Sequence, residues 1–259
     1  MKPRAMILFA PGINRDHDVA TALEMAGAET FIYPVKQLFE EKIDWAMFQM
    51  LVVPGGFSYA DALGAGRLLA LDLNSYFTDE VSRFLDAGKP AIGICNGFQA
   101  LVKAGILPDR SKANEPHKAT LTFNQSNHFE CRWVTLKPVS QTCVWTRGLD
   151  QLIDCPVAHG EGNFKVTEPV YAQTLVDNDQ IALVYTHSDG KPALGAYPQN
   201  PNGSVMDIAG VCNRAGNVLG LMPHPENNIL AFQTPDRANR PDHFGLPLFV
   251  NGVRYASQL

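Results

Sequence analysis

Short apolar runs and amphipathic segments take turns along the first hundred residues. Residues 5–10, 30–33, 49–53 and 91–94 are runs of apolar and β-favouring side chains, each the length of one strand. Between them, residues 16–26 place Val19, Leu23 and Ala26 at helical spacing, with Asp16 or Asp18 near the start. Residues 63–71, 81–85 and 97–102 also read as helical. Strand and helix in alternation imply a parallel sheet with helices on both faces. In such sheets reactive groups collect at the carboxyl ends of the strands. Pro54-Gly55-Gly56, Cys95 and the loop of His224 all fall at those ends.

The pattern changes after residue 107. Residues 107–127 are polar and carry Pro108, Asn114, Pro116, Asn124 and Asn127, which predicts a long loop or insertion. From residue 129 the character is β, with runs at 129–136, 155–158, 180–185, 205–212 and 218–221. Asp189-Gly190 and Asn202-Gly203 mark turns among them. Residues 227–241 read as a surface loop, and residues 246–255 as a closing helix built on Leu246, Phe249, Val250 and Val253. No linker divides the chain, so residues 1–259 are expected to form a single domain, with 107–127 inserted and 227–259 as a C-terminal extension.

Composition narrows the class. The chain has 259 residues, 46% hydrophobic and 18% charged, enough for a sizeable core. A net charge of −5 without a Lys/Arg-rich run argues against a nucleic-acid partner. No stretch is long enough to cross a bilayer, and residues 5–10 are too short for a signal peptide and read as a first strand. The five cysteines are odd in number, widely spread and free of any C-x-x-C pair. They fit a reducing cytoplasmic setting better than a disulfide framework or a zinc site, and no metal site is expected.

Two clusters carry chemistry. In Gly93-Ile94-Cys95-Asn96-Gly97 an apolar strand ends at a cysteine flanked by glycines at both second neighbours. That is a nucleophile-elbow pattern, a sharp strand-to-helix turn with sulfur at its apex. The start of the following helix favours the thiolate. In Met222-Pro223-His224-Pro225-Glu226 a second strand runs into a stiff loop with histidine and glutamate two positions apart. An extended segment would point both side chains to one side. Cys95, His224 and Glu226 then make a nucleophile, a base and an orienting acid. Each residue alone has an ordinary structural reading, as buried thiol, loop histidine or solvated charge; their joint occurrence favours catalysis.

Those same motifs resemble class I glutamine amidotransferase domains. Further segments are similar to the glutaminase subunits of phosphoribosylformylglycinamidine synthase: Pro11-Gly12-Ile13-Asn14-Arg15-Asp16, Pro54-Gly55-Gly56-Phe57-Ser58-Tyr59-Ala60-Asp61, Cys131-Arg132-Trp133-Val134, His159-Gly160-Glu161-Gly162-Asn163-Phe164 and Asn200-Pro201-Asn202-Gly203-Ser204. The fold this implies is flavodoxin-like α/β: an open, mostly parallel sheet with helices on both faces, plus an added antiparallel β portion in the second half.

The resemblance implies that Cys95 attacks the side-chain amide of L-glutamine. The N–H groups of Asn96 and of Gly55 or Gly56 would form the oxyanion hole. Gln99, Gly162, Asn163 and Phe164 would bind substrate, and His159 is a rival for the base. It further implies a partner synthetase that uses the ammonia to convert formylglycinamide ribonucleotide to formylglycinamidine ribonucleotide in purine biosynthesis, together with a small bridging subunit. No Walker motif occurs in the chain, so no cofactor is expected here; ATP and magnesium would sit on the synthetase. The free subunit would be a weak glutaminase, activated on docking. Three positions depart from the family pattern: Asn227 and Gly64 where arginine is common, and Arg15 where cysteine is common. Competing readings are an amidotransferase subunit of another pathway, a γ-glutamyl hydrolase, an intracellular cysteine hydrolase of the same architecture, and a non-catalytic regulatory module.

Overall fold

A computed structural model describes residues 2–111, 115–235 and 244–259. Its strands and α-helices run in the order β1 (Arg4–Phe9), α1 (Asp16–Met25), β2 (Glu29–Pro34), α2 (Val35–Glu40), β3 (Met50–Val53), α3 (Arg67–Tyr76), α4 (Thr78–Asp86), β4 (Ala91–Ile94), α5 (Asn96–Lys103), β5 (Ala119–Thr122), β6 (Glu130–Pro138), β7 (Ile153–His159), β8 (Asn163–Val166), α6 (Pro169–Asp177), β9 (Ile181–Thr186), β10 (Ile208–Cys212), β11 (Val218–Leu221) and α7 (Leu246–Ala256).

Nine strands make one sheet in the order β2-β1-β3-β4-β11-β10-β9-β6-β7. The neighbours from β2 through β11 pair in parallel, and those from β11 to β7 pair antiparallel. The expected open parallel sheet with an antiparallel second half is therefore present. Every residue of β3, β4 and β11 is buried, as strands covered on both faces must be. In α1 the buried Val19, Ala22 and Leu23 form one stripe, while Asp16 and Asp18 complement the positive end of the helix dipole.

β3, β4 and β11 are adjacent and parallel, with Val53 beside Gly93 and Leu221 beside Ile94. Three loops widely separated in sequence therefore leave the sheet at one edge. Close packing holds the start of α5 there: a Cβ on Gly97 would lie 1.8 Å from the carbonyl oxygen of Val53, so no other residue fits.

Several expectations need correction. The helix read over residues 63–71 begins only at Arg67, because Leu63, Gly64 and Gly66 have φ of 66°, 110° and 71°, which a right-handed helix cannot use. The stretch 107–127 is not all loop: β5 lies within it and pairs with β8 as a separate two-stranded sheet. Asn114 lies outside the described residues. The β character after residue 129 is interrupted by α6, and residues 205–207 form a 3-10 turn rather than the start of a strand. Helix α2 and strand β8 were not expected from the pattern at all. The closing helix is present as α7, whereas the tail loop is described only as far as Pro235 before residue 244.

Candidate active site

Cys95 follows β4 with φ 50° and ψ −106°, a backbone conformation that costs a non-glycine residue about 1–3 kcal/mol. Two hydrogen bonds hold it: its N–H donates to Leu221 O (2.7 Å), and its carbonyl accepts from Gln99 N–H (3.0 Å). Adjacent β11 and the first turn of α5 thus enforce the strain together. The side chain is 4% exposed, and its Sγ makes a long contact of 3.8 Å to Ala158 O at the end of β7.

His224 follows β11, and its backbone N–H donates to Pro156 O of β7 (2.9 Å). Its Nδ1 meets Glu226 Oε1 at 2.7 Å, and both side chains are buried. The expected pairing occurs, but for a different local reason. Glu226 lies in a 3-10 turn, Pro225–Asn227, rather than in an extended segment. Burial opposes a charge on the imidazole, but the Glu226 carboxylate, hydrogen-bonded to the ring, and the nearby Cys95 sulfur outweigh it and push the pKa up to about 10. Nucleophile, imidazole and acid therefore stand in order, with the ring charged and Glu226 Oε2 left without a partner among the described residues.

Gly55 and Gly56 follow β3 beside this group. A Cβ on Gly55 would stand 2.6 Å from His224 Cε1 and 3.4 Å from Cys95 Cβ. Neither glycine's N–H donates to another described residue. Asn96 opens α5; its side chain accepts from Ser58 N–H (3.1 Å) and donates to Asp61 Oδ1 and Gln99 Oε1 (3.1 Å each). Both walls of the expected oxyanion hole are thus laced together. Tyr59, Ala60 and Asp61, in the segment between them, all have φ between 52° and 54°.

The expected substrate residues are placed unevenly. Gln99 is 3% exposed, and its Nε2 donates to Glu161 O (2.7 Å), so its amide ties α5 to the turn after β7. Gly162 N–H already donates to Asn124 Oδ1 (2.9 Å). Phe164 points into the core, 1% exposed and stacked on Phe98 at 6.1 Å, with its N–H donating to Ser204 Oγ. Asn163 keeps a buried Oδ1 without a partner among the described residues. His159 donates through Nδ1 to Asn124 Oδ1 (3.1 Å), and burial together with the nearby His224 charge lowers its pKa to about 3. It is neutral and too weak a base to rival His224.

Four supporting residues were missed. Asn124 pins the turn after β7 through its bonds to Gly162, His159 and His128. Asn202 and Ser204 hold Gly162 O from the other side. Lys103 pairs with Glu161 (3.3 Å) and also donates to Ala65 O. The motif at residues 200–204 signalled the second group without its purpose; nothing local signalled Asn124 or Lys103.

Among the described residues no cluster of three or more His, Cys, Asp or Glu side chains could hold a metal ion, and no helix is long and apolar enough to cross a membrane.

Comparison with known proteins agrees with the geometry. Residues 2–256 match the CobB/CobQ-like glutamine amidotransferase domain family. The chain is 54% identical over 242 residues to phosphoribosylformylglycinamidine synthase subunit PurQ of Treponema denticola, covering 89% of this chain and 90% of that one. It is 42% identical over 263 residues to the subunit of the same name from Dehalococcoides mccartyi, covering 100% and 99%. Among solved structures, a chain of PurLQS from Thermotoga maritima superposes with a TM-score of 0.74 at 31% identity, covering 98% of this chain and 99% of that one.

Proposed function

Because the chain belongs to the CobB/CobQ-like glutamine amidotransferase family, we infer that it is the glutaminase subunit of phosphoribosylformylglycinamidine synthase. It hydrolyses L-glutamine to glutamate and ammonia and supplies the ammonia to a synthetase subunit. That partner converts formylglycinamide ribonucleotide to formylglycinamidine ribonucleotide in purine biosynthesis. The observation that carries the chemistry is that His224 is bonded through Nδ1 to Glu226 at 2.7 Å while His224 and Cys95 both flank Gly55, at one edge of the sheet.

Cys95 Sγ attacks the side-chain amide carbon of glutamine, and the carbonyl oxygen takes up negative charge. The N–H groups of Asn96 and of Gly55 or Gly56 are free to receive it. As the carbon–nitrogen bond breaks, His224 gives its proton to the departing nitrogen, and ammonia leaves a γ-glutamyl thioester on Cys95. Neutral again, His224 takes a proton from water, and the hydroxide formed releases glutamate and the thiolate. Glu226 fixes the ring through Nδ1 throughout. The unpartnered Asn163 Oδ1 is suited to the α-ammonium of the substrate. Gln99 and Gly162 support the surrounding turn, and Phe164 anchors it from the core.

Cys95, His224 and Glu226 are all nearly sealed from solvent. The end of β7 lies against the nucleophile, with Ala158 O 3.8 Å from Cys95 Sγ, and an opening there on docking would turn a weak glutaminase into an active one. Residues 1–259 then act as one amidotransferase domain in the cytoplasm, with ATP and magnesium on the synthetase and a small bridging subunit completing the assembly. The test is reconstitution with the synthetase. Cys95→Ser should abolish product formation from glutamine while leaving formation from ammonium salts; loss of both, or of neither, rejects the assignment.

A further inference from the structure

His159 is a buried titratable group near the triad that the mechanism above leaves without a task. It ends β7, whose unbroken pairing with β6 from Ile153 to His159 puts Cys155, Val157 and His159 on one face. β7 lies against the triad: Pro156 O accepts the His224 N–H (2.9 Å), and Ala158 O, next to His159, is 3.8 Å from Cys95 Sγ. The ring is fixed. Asn124 Nδ2 donates to His128 O and His159 O, so Asn124 Oδ1 must be the acceptor toward the imidazole. The hydrogen of His159 therefore sits on Nδ1, and Nε2 carries a bare lone pair. Nε2 is fully buried and has no hydrogen-bond partner among the described residues. Gly162 lets the ring lie flat against the turn, since a Cβ there would fall 2.3–2.7 Å from Cε1, Nδ1 and Nε2.

A buried acceptor without a donor costs about 1–3 kcal/mol. It is tolerated where a ligand supplies the missing hydrogen. Resting on the glutaminase reading, we propose that His159 Nε2 is the first resting place of the released ammonia, accepting one of its N–H bonds next to the thioester. No proton moves in this step. The carbon–nitrogen bond has already broken, His224 has already supplied the third hydrogen, and the ammonia lone pair stays free for the synthetase. An ordinary imidazolium could protonate ammonia to ammonium and destroy its nucleophilicity. A histidine held neutral by burial and by its charged neighbour cannot.

The experiment uses the reconstituted complex with the synthetase and compares formylglycinamidine ribonucleotide formed with glutamate released. The wild type should be tightly coupled. His159→Phe keeps the ring shape without the lone pair and should lower product per glutamate by about threefold to tenfold, the worth of one neutral hydrogen bond. His159→Gln, with an acceptor oxygen at similar reach, should restore most of the ratio. A merely structural residue would slow glutamate release and leave the ratio intact, and that result overturns the proposal, as does an equal loss in both variants. Where the Phe variant fails to fold, the wild-type subunit with ¹⁵N-labelled histidines is titrated with ammonia above pH 9. The His159 Nε2 resonance should shift and saturate; one indifferent to ammonia overturns the proposal. A wild-type complex that makes no product from glutamine would instead defeat the functional assignment, and the titration would still decide the binding site.

Discussion

Replacing Gly55 by alanine tests how tightly the site is built. The new Cβ would lie 2.6 Å from His224 Cε1 and 3.3 Å from Nδ1. Carbon atoms in contact settle at about 3.5–4.0 Å, so the overlap with Cε1 is about 1 Å. The ring has nowhere to go, because Nδ1 is held by Glu226 at 2.7 Å, the backbone N–H is held by Pro156 O at 2.9 Å and the side chain is buried. Gly55 does not have a positive φ, so backbone strain does not confuse the result. Displacing a catalytic group by about 1 Å costs roughly a hundredfold in rate, or about 2.7 kcal/mol of transition-state stabilisation. Overpacking should lower folding stability by about 1–3 kcal/mol. The assay is steady-state glutamate release by the complex, with ammonium-supported synthesis as the control and a chemical melt for stability. A Gly55→Ala enzyme within about threefold of wild type, less than half a decade on this scale, would refute the packing account of the site.

Glu226→Gln removes the carboxylate that charges His224, so its imidazole should titrate far below the native value of about 10, and glutamate release should fall by roughly a hundredfold or more. The same shift predicts the pH dependence of stability. Because His224 is raised from 6.5 to about 10 on folding, its charged form stabilises the fold fully below pH 6.5, and that contribution is lost as pH rises through about 10. Melting temperatures measured from pH 6 to 10 should therefore fall in the wild type and flatten in Glu226→Gln. A glutamine-like electrophile should label buried Cys95 faster than exposed Cys131, an order that exposure alone would reverse. Asn124→Ala frees the turn after β7 and should raise KM for glutamine by about tenfold, the worth of one to two hydrogen bonds; an unaltered KM would show that the turn is held otherwise.

The elbow was legible because its geometry is local: Gly93, Cys95 and Gly97 specify the turn within five residues. The parallel strands were legible because each is a short apolar run with clear punctuation. The His224–Glu226 contact was legible from its spacing, though Pro225 closes a 3-10 turn instead of extending the chain. Helix α6 escaped because its buried Tyr171, Ala172 and Leu175 are interleaved with Val170 and Val176, which favour strands. β5 and β8 are four residues each and stable only against one another, across more than forty positions. The same separation hid Asn124, Lys103 and Ser204, whose partners lie 35–58 residues away. Gln99 and Phe164, expected to bind substrate, lie beside this region as a tie to Glu161 O and a core ring; a sequence does not say whether a side chain faces the ligand or braces the wall behind it.

Arg15 and Asn227, two of the departures from the family pattern, meet at one atom: each donates to Asp18 Oδ2, at 2.9 Å in both cases. Arg15, near the start of the chain, supplies the counter-ion of Asp18, and Asn227, near its end, adds a neutral donor. Removing the Arg15 guanidinium would leave Asp18 with Asn227 alone, and an arginine placed at residue 227 would return a cation to the seam between α1 and the His224 loop.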